Sequence, residues 1–141
     1  MNKLILTLII CFSSISINNC DNKTEFSIVG KWEWDAYSSS GSFIFRENGE
    51  VVIESEGEVL GGNEFIRKDR EFNLEYKVDY EKTPITLDLI FTNLKTKNQL
   101  IKPGIMDIVD NNIIIIAIGS KGIRPKEISE FDDIIVLERI K

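Results

Sequence analysis

The chain has 141 residues, with 17 Lys and Arg against 23 Asp and Glu, a formal charge of −6 and no histidine. With no basic cluster standing out from the acids around it, it lacks the electrostatic footprint of nucleic-acid binding. The missing histidine removes His-based triads, His general bases and His metal ligands together, so a non-enzymatic role without a cofactor is expected.

Lys3 precedes an apolar run of about nine residues, Leu4 to Phe12, and a Ser/Ile/Asn stretch then leads to Cys20. Because a bilayer-spanning helix needs roughly 20 apolar residues, the run reads as an export leader and not as a permanent anchor. Ile17-Asn18-Asn19-Cys20 resembles the lipobox of bacterial lipoproteins, with an aliphatic residue three before the cysteine and Asn19 where a small residue is usual. The resemblance implies a signal peptide over residues 1–19, a lipid on Cys20 and a short polar tether over 20–27. It also implies a place in the bacterial cell envelope, with the membrane as partner through the anchor. An ordinary cleaved secretory signal with a free Cys20 is the alternative. Cys11 belongs to the leader, so no intramolecular disulfide staples the processed chain and its stability must come from a core. Lys3 is the only charged residue among the first 20, which leaves 16 basic and 23 acidic residues beyond, a charge of −7. Residues 28–141 suit one domain.

From there the pattern is that of strands. Val29 to Tyr37 alternates, with Trp32, Trp34 and Ala36 on one face and Lys31, Glu33 and Asp35 on the other. Ser42 to Glu47 and Glu50 to Ser55 flank Asn48-Gly49, a strong hairpin signal. A strict two-residue turn there sets Phe45 opposite Val52 and Glu47 opposite Glu50, an unfavourable like-charge pair, and a bulged turn is the alternative. Glu58 to Arg70 has no convincing period, and its "RKDR" run reads as a solvated loop or edge. Phe72, Leu74, Tyr76, Val78 and Tyr80 share one face of the next strand; Ile85, Leu87, Leu89 and Phe91 share one face of the strand after Pro84. Lys95 to Lys102 is polar, Pro103 to Val109 reads as a strand, and Ile113 to Ile118 is an apolar run fit for burial on both faces. Gly119 to Asp133 is a long excursion, with room for one helical turn over 126–131, before a closing strand over 134–140. Eight strands in sequential order predict an all-β fold, an antiparallel up-and-down barrel.

Gly30-Lys31-Trp32 resembles the G-x-W that opens the first strand of lipocalin and fatty-acid-binding barrels, where a basic residue of the last strand packs on the tryptophan; Arg139 is placed for that role. "YKVDYEKTPITLDL" (76–89), "GIMDIVDN" (104–111), "GIRP" (122–125) and "VLER" (136–139) are similar to a family of bacterial secreted lipocalin-like domains of unknown function, with Met106 where that frame has a tyrosine. The resemblance covers residues 28–140 and implies a lipocalin-like barrel without an assigned catalytic residue. Gly30, Trp32 and Arg139 are then structural.

Trp34, Tyr76, Tyr80 and Phe91 are the candidate ligand-binding residues, each an aromatic at strand spacing that serves equally as core. Asp107, Asp110, Glu130, Asp132 and Asp133 form no ordered ligand ladder, and no metal site is expected. Arg124-Pro125 reads as a loop fixed by guanidinium bonds to carbonyls or a carboxylate. Two roles remain open: binding a small apolar ligand in the barrel, or contacting an envelope protein partner, as an inhibitor or accessory subunit, through loops 56–70 and 119–133 of a filled barrel. Barrels of this size accommodate either.

Overall fold

The alternating segments become strands in the computed structural model, which describes residues 25–36, 39–128 and 134–141. Cys20 and its expected lipid, the leader and most of the tether lie outside the described residues, as do Glu130, Asp132 and Asp133 and most of the expected helical turn. Nine strands follow one another: β1 (Gly30–Ala36), β2 (Ser39–Phe45), β3 (Val51–Ser55), β4 (Glu58–Arg67), β5 (Arg70–Asp79), β6 (Ile85–Asn93), β7 (Gln99–Ile108), β8 (Ile113–Ile118) and β9 (Ile134–Arg139). Each pairs antiparallel with the next, and β9 returns to β1, so the sheet is a closed up-and-down barrel. Among the described residues there is no helix.

The barrel therefore has nine strands and not eight, and the added one is β4. Its register slips between Gly62 and Phe65, where Gly62 pairs with Leu74 but Phe65 pairs with Phe72. Leu60 and Gly62 face inward on one phase, and Phe65 and Arg67 on the other, so the bulge erases the period-2 signal while keeping both halves in the wall. The turns on either side of β4 are tight and have no strong sequence signature: Glu56 and Gly57 in one, Lys68 and Asp69 in the other, all four at positive φ. β7 also starts earlier than its proline suggests. Pro103 accepts the Gly119 amide at 2.7 Å, so its nitrogen faces the side where the β8 ladder has ended and no donor is missed.

Between β2 and β3 the bulged turn is the one formed. Phe45 pairs with Val51, the Arg46 amide donates to the Glu50 carbonyl, and Gly49 sits at φ +87° in the extra position. The like-charge pair of the strict turn is thereby replaced by an ion pair, with Arg46 Nη1 3.0 Å from Glu50 Oε2. The turn is held on β5, where the Tyr76 amide donates to the Gly49 carbonyl at 2.8 Å.

Inside, Trp32, Phe45, Val51, Leu74, Leu87 and Met106 are fully buried, with Ile114, Ile116 and Leu137. Each such side chain contributes on the order of 1.5–3 kcal/mol by leaving water. On β8 Ile114 and Ile116 point inward and are fully buried, while on the outer face Ala117, opposite Ile105, is buried and Ile113 and Ile115 are half-buried. Arg124 carries the segment after β8 across that outer surface. Its guanidinium donates to both carboxylate oxygens of Asp88, at 2.7 and 3.1 Å, and to the Gly104 carbonyl at 2.6 Å.

Candidate functional site

The two ends of the barrel differ. One is sealed by residues 25–29, which cross it before β1 begins. Trp32 is completely buried there, and its indole Nε1 donates to the Ile28 carbonyl at 2.7 Å. Arg139, its cross-strand partner, lies over the indole with the guanidinium carbon 4.1 Å from the ring centroid. The same guanidinium donates to the carbonyls of Val29 (2.8 Å), Ser27 (2.6 Å) and Asn111 (2.8 Å), tying the entering chain to the last strand. Gly30 makes this passage possible, since a Cβ there would lie 2.9 Å from Arg139 Nη1. Phe26 completes the plug, 6.2 Å from Trp32 and 6.1 Å from Tyr80. The phenol oxygen of Tyr80 accepts the Ile28 amide at 3.2 Å. Burial pushes the Tyr80 phenol above its ordinary value, opposed by the Ile28 amide and by Arg139.

The other end is open. Near the tips of β4 to β7 a cleft of about 430 Å³ is walled by Phe65, Phe72, Phe91 and Leu100. Phe65 touches both aromatic neighbours, with centroids 5.9 Å from Phe72 and 6.3 Å from Phe91. Strand register explains the grouping: Phe65 opposes Phe72, and Phe91 opposes both Leu74 and Leu100, all on the inward phase. Phe91 is 9% exposed and Leu100 61%, so the wall runs from core to solvent. The rim consists of Arg67, Lys68, Arg70 and Lys102. Arg67 opposes Arg70 and Lys102 opposes Leu89, which sets these three on the same inward phase as the phenylalanines. A neighbouring cleft of about 690 Å³ shares Arg70, Phe72, Phe91 and Leu100 and carries Asp69 and Glu71 on its far side.

A third cleft, of about 1070 Å³, opens beside the β1–β9 junction, where only two residue pairs form the ladder. Trp34 borders it, packed against Phe43 at 5.4 Å and above Gly41, where a Cβ would overlap the indole. The remaining lining is largely acidic, with Glu33, Asp35, Glu54, Glu56, Glu58 and Glu138 set against Lys31, and includes the aliphatic side chains of Val59, Val136 and Ile140.

The four aromatics singled out from the sequence are not gathered in one place. Phe91 belongs to the apolar mouth and Trp34 to the acidic cleft. Tyr76 packs edge-on against Phe45 at 4.9 Å and its hydroxyl donates to the Arg46 carbonyl at 2.8 Å, while Tyr80 sits at the plugged end, 45% exposed. Burial raises the Tyr76 phenol, with Tyr80 and Glu47 adding to the effect. The sequence pattern does not mark Phe65, Arg67, Arg70, Leu100 and Lys102; Arg67 and Arg70 are brought onto one face by the two-residue turn at Lys68-Asp69, which has no strong sequence signature.

Among the described residues no three or more Asp, Glu, His or Cys converge as a metal site. Comparison with known proteins finds no matching family, no matching curated protein and no matching solved structure. The family resemblance rests on the quoted motifs alone.

Proposed function

We propose that this chain is an envelope-tethered, lipocalin-like binding protein, non-enzymatic, that takes a small apolar ligand at the open mouth of its barrel and is anchored through a lipid on Cys20. The observation that carries this reading is the cleft of about 430 Å³ walled by Phe65, Phe72, Phe91 and Leu100, continuous with the buried core at one side and open to solvent at the other. Its volume falls within the roughly 300–1,000 Å³ typical of small-molecule pockets, and its wall is aromatic, as such pockets commonly are. Below it the interior is taken up by Leu74, Leu87, Leu89 and Met106, so the ligand sits in the mouth and not along the barrel axis. The lipocalin-like assignment draws its support from the G-x-W geometry, in which Gly30 clears the path of Arg139 over Trp32.

Native mass spectrometry of the protein purified from its own host, followed by solvent extraction, tests the reading. A bound apolar molecule, lost on Phe72→Asp, is the expected result. Nothing bound, with no uptake of added apolar compounds, overturns it. Acyl chains found by mass spectrometry on Cys20 of membrane-fraction protein support the anchor, and membrane retention of Cys20→Ala refutes it. The second reading, contact with an envelope protein partner, is favoured by Val59 and Ile66 on β4 and Ile123 in the segment after β8, which are 60, 70 and 71% exposed. Cross-linking in the native envelope that maps to these three side chains would select it.

A further inference from the structure

The rim of the mouth specifies the chemistry of what enters it. We propose that Arg67 and Arg70, with Lys68 and Lys102, form a head-group site, and that the ligand is a single-chain amphiphile with an anionic head, a carboxylate, sulfate or phosphate monoester, whose tail lies on Phe65, Phe72, Phe91 and Leu100. This rests on the mouth being the ligand site.

Three observations converge on it. First, four cations and no acid line this cleft, in a chain whose net charge is −6. Second, Arg67 and Arg70 are direct cross-strand partners on one face. Like charges placed opposite each other destabilise a sheet, and an anion between them turns the repulsion into two attractions. Each guanidinium presents a planar fork of donors that matches the oxygens of a carboxylate or phosphate, so the pair is shaped for a shared anion and not only for general positive potential. Third, among the described residues none of the four cations takes part in an ion pair; those present involve Lys31, Arg46 and Arg124. The nearest acids in the chain do not neutralise the rim. Glu71 opposes Ile66 on the outward phase, and Asp69 lines the neighbouring cleft.

Position selects an amphiphile over a bare anion. The guanidinium groups stand at the solvent end of an apolar wall, so an anion held by them projects whatever it is attached to onto Phe65, Phe72 and Phe91. A free inorganic anion would leave that wall in water, whereas an alkyl chain covers it and removes its apolar surface from solvent. Turn geometry holds the head-group site in place, because Lys68 and Asp69 both adopt positive φ in a two-residue turn that fixes Arg67 against Arg70.

Calorimetric titration of the purified protein with three probes of equal chain length, each below its micelle-forming concentration, tests the proposal. The probes are dodecanoate, dodecanol and dodecyltrimethylammonium. Dodecanoate is expected to bind about tenfold or more tightly than dodecanol, with the cationic probe weakest, as follows from one or two charge-assisted hydrogen bonds gained by the anion alone. Arg67→Gln/Arg70→Gln should remove most of that advantage, weakening dodecanoate far more than dodecanol. Lys102→Gln, a single change at a solvent-exposed position, should weaken dodecanoate by roughly threefold, as one exposed charge contact would. Added salt should weaken dodecanoate only. Equal affinity for all three probes overturns the head-group site and leaves the apolar mouth standing. Binding of none of them overturns the mouth itself. Sedimentation with anionic vesicles that depends on Arg67 and Arg70, without dodecanoate binding, also overturns the proposal and makes the rim a membrane-facing patch.

Discussion

Replacing Trp32 by alanine removes the largest fully buried side chain of the plug and tests whether that plug holds the barrel closed. Three losses combine. Deleting a buried aromatic ring costs about 3–5 kcal/mol when the surroundings cannot collapse into the space. The Ile28 carbonyl loses its 2.7 Å donor, and Arg139 loses the ring beneath its guanidinium, a contact worth roughly 0.5–2 kcal/mol. These terms overlap, so the expected total is about 4–5 kcal/mol, a large share of the roughly 5–15 kcal/mol available to a domain of this kind. The melting temperature should fall by something on the order of 15 °C or more. Urea unfolding followed by tryptophan fluorescence is the assay, since the chain has two tryptophans and Trp34 remains as the only reporter in the variant. A double-mutant cycle with Arg139→Ala should return a coupling of about 0.5–2 kcal/mol. A change below about 1 kcal/mol for Trp32→Ala, small against the expected cost of a buried ring, or a coupling of zero, would refute the plug.

Other perturbations separate backbone from packing effects. Gly49→Ala should cost about 1 kcal/mol through its positive φ alone, because an added Cβ meets nothing within 4 Å. Gly61→Ala should cost at least about 2 kcal/mol, because its Cβ also overlaps the Val51 carbonyl; denaturant midpoints of the two variants compare them directly. Arg124→Ala leaves the Asp88 carboxylate and the Gly104 carbonyl without their donor and should cost about 1–2 kcal/mol. Limited proteolysis should then cut within residues 119–128 sooner than in the parent, and Arg124→Lys should not restore resistance. Tyr76 and Tyr80 both have raised phenol values, so the stability they contribute is fully present below the ordinary phenol value and lost as pH rises through the folded-state values. Tyrosinate absorbance should show both ionising later than in the unfolded chain, and normal titration of both would contradict the burial assigned to them.

The strands that alternate cleanly were legible because one face meets the core and the other meets water. Phe72 to Asp79 and Ile85 to Asn93 have the expected phases, whereas the double burial suggested by the unbroken apolar run of β8 is complete on the outer face only at Ala117, with Ile113 and Ile115 half-buried. β4 was not legible, for a physical reason. A bulge shifts its phase by one residue midway, so its two halves cancel in any periodicity test. The mouth was hidden by the same strand. With β4 read as a loop, Arg67 and Arg70 belong to a solvated charge run; with β4 in the wall, they become a facing pair at the end of an aromatic surface. Phe91 could be named in advance because its own strand is regular. Phe65 depended on the bulge, and Leu100 and Lys102 on β7 continuing through Pro103. That continuation rests on β8 ending where the missing donor faces, which no local pattern records.

The claim at the centre of this account is that the open mouth, and neither the plugged end nor the acidic cleft, receives the ligand. Amide and aromatic side-chain NMR shifts of the labelled protein, followed while dodecanoate is added, locate binding directly. Saturable shifts are expected in Phe65 to Phe72, at Phe91 and over Leu100 to Lys102, with Trp32 and Tyr80 unmoved. Shifts centred on Trp34 and Gly41, or none at any position up to the micelle-forming concentration, would contradict that claim.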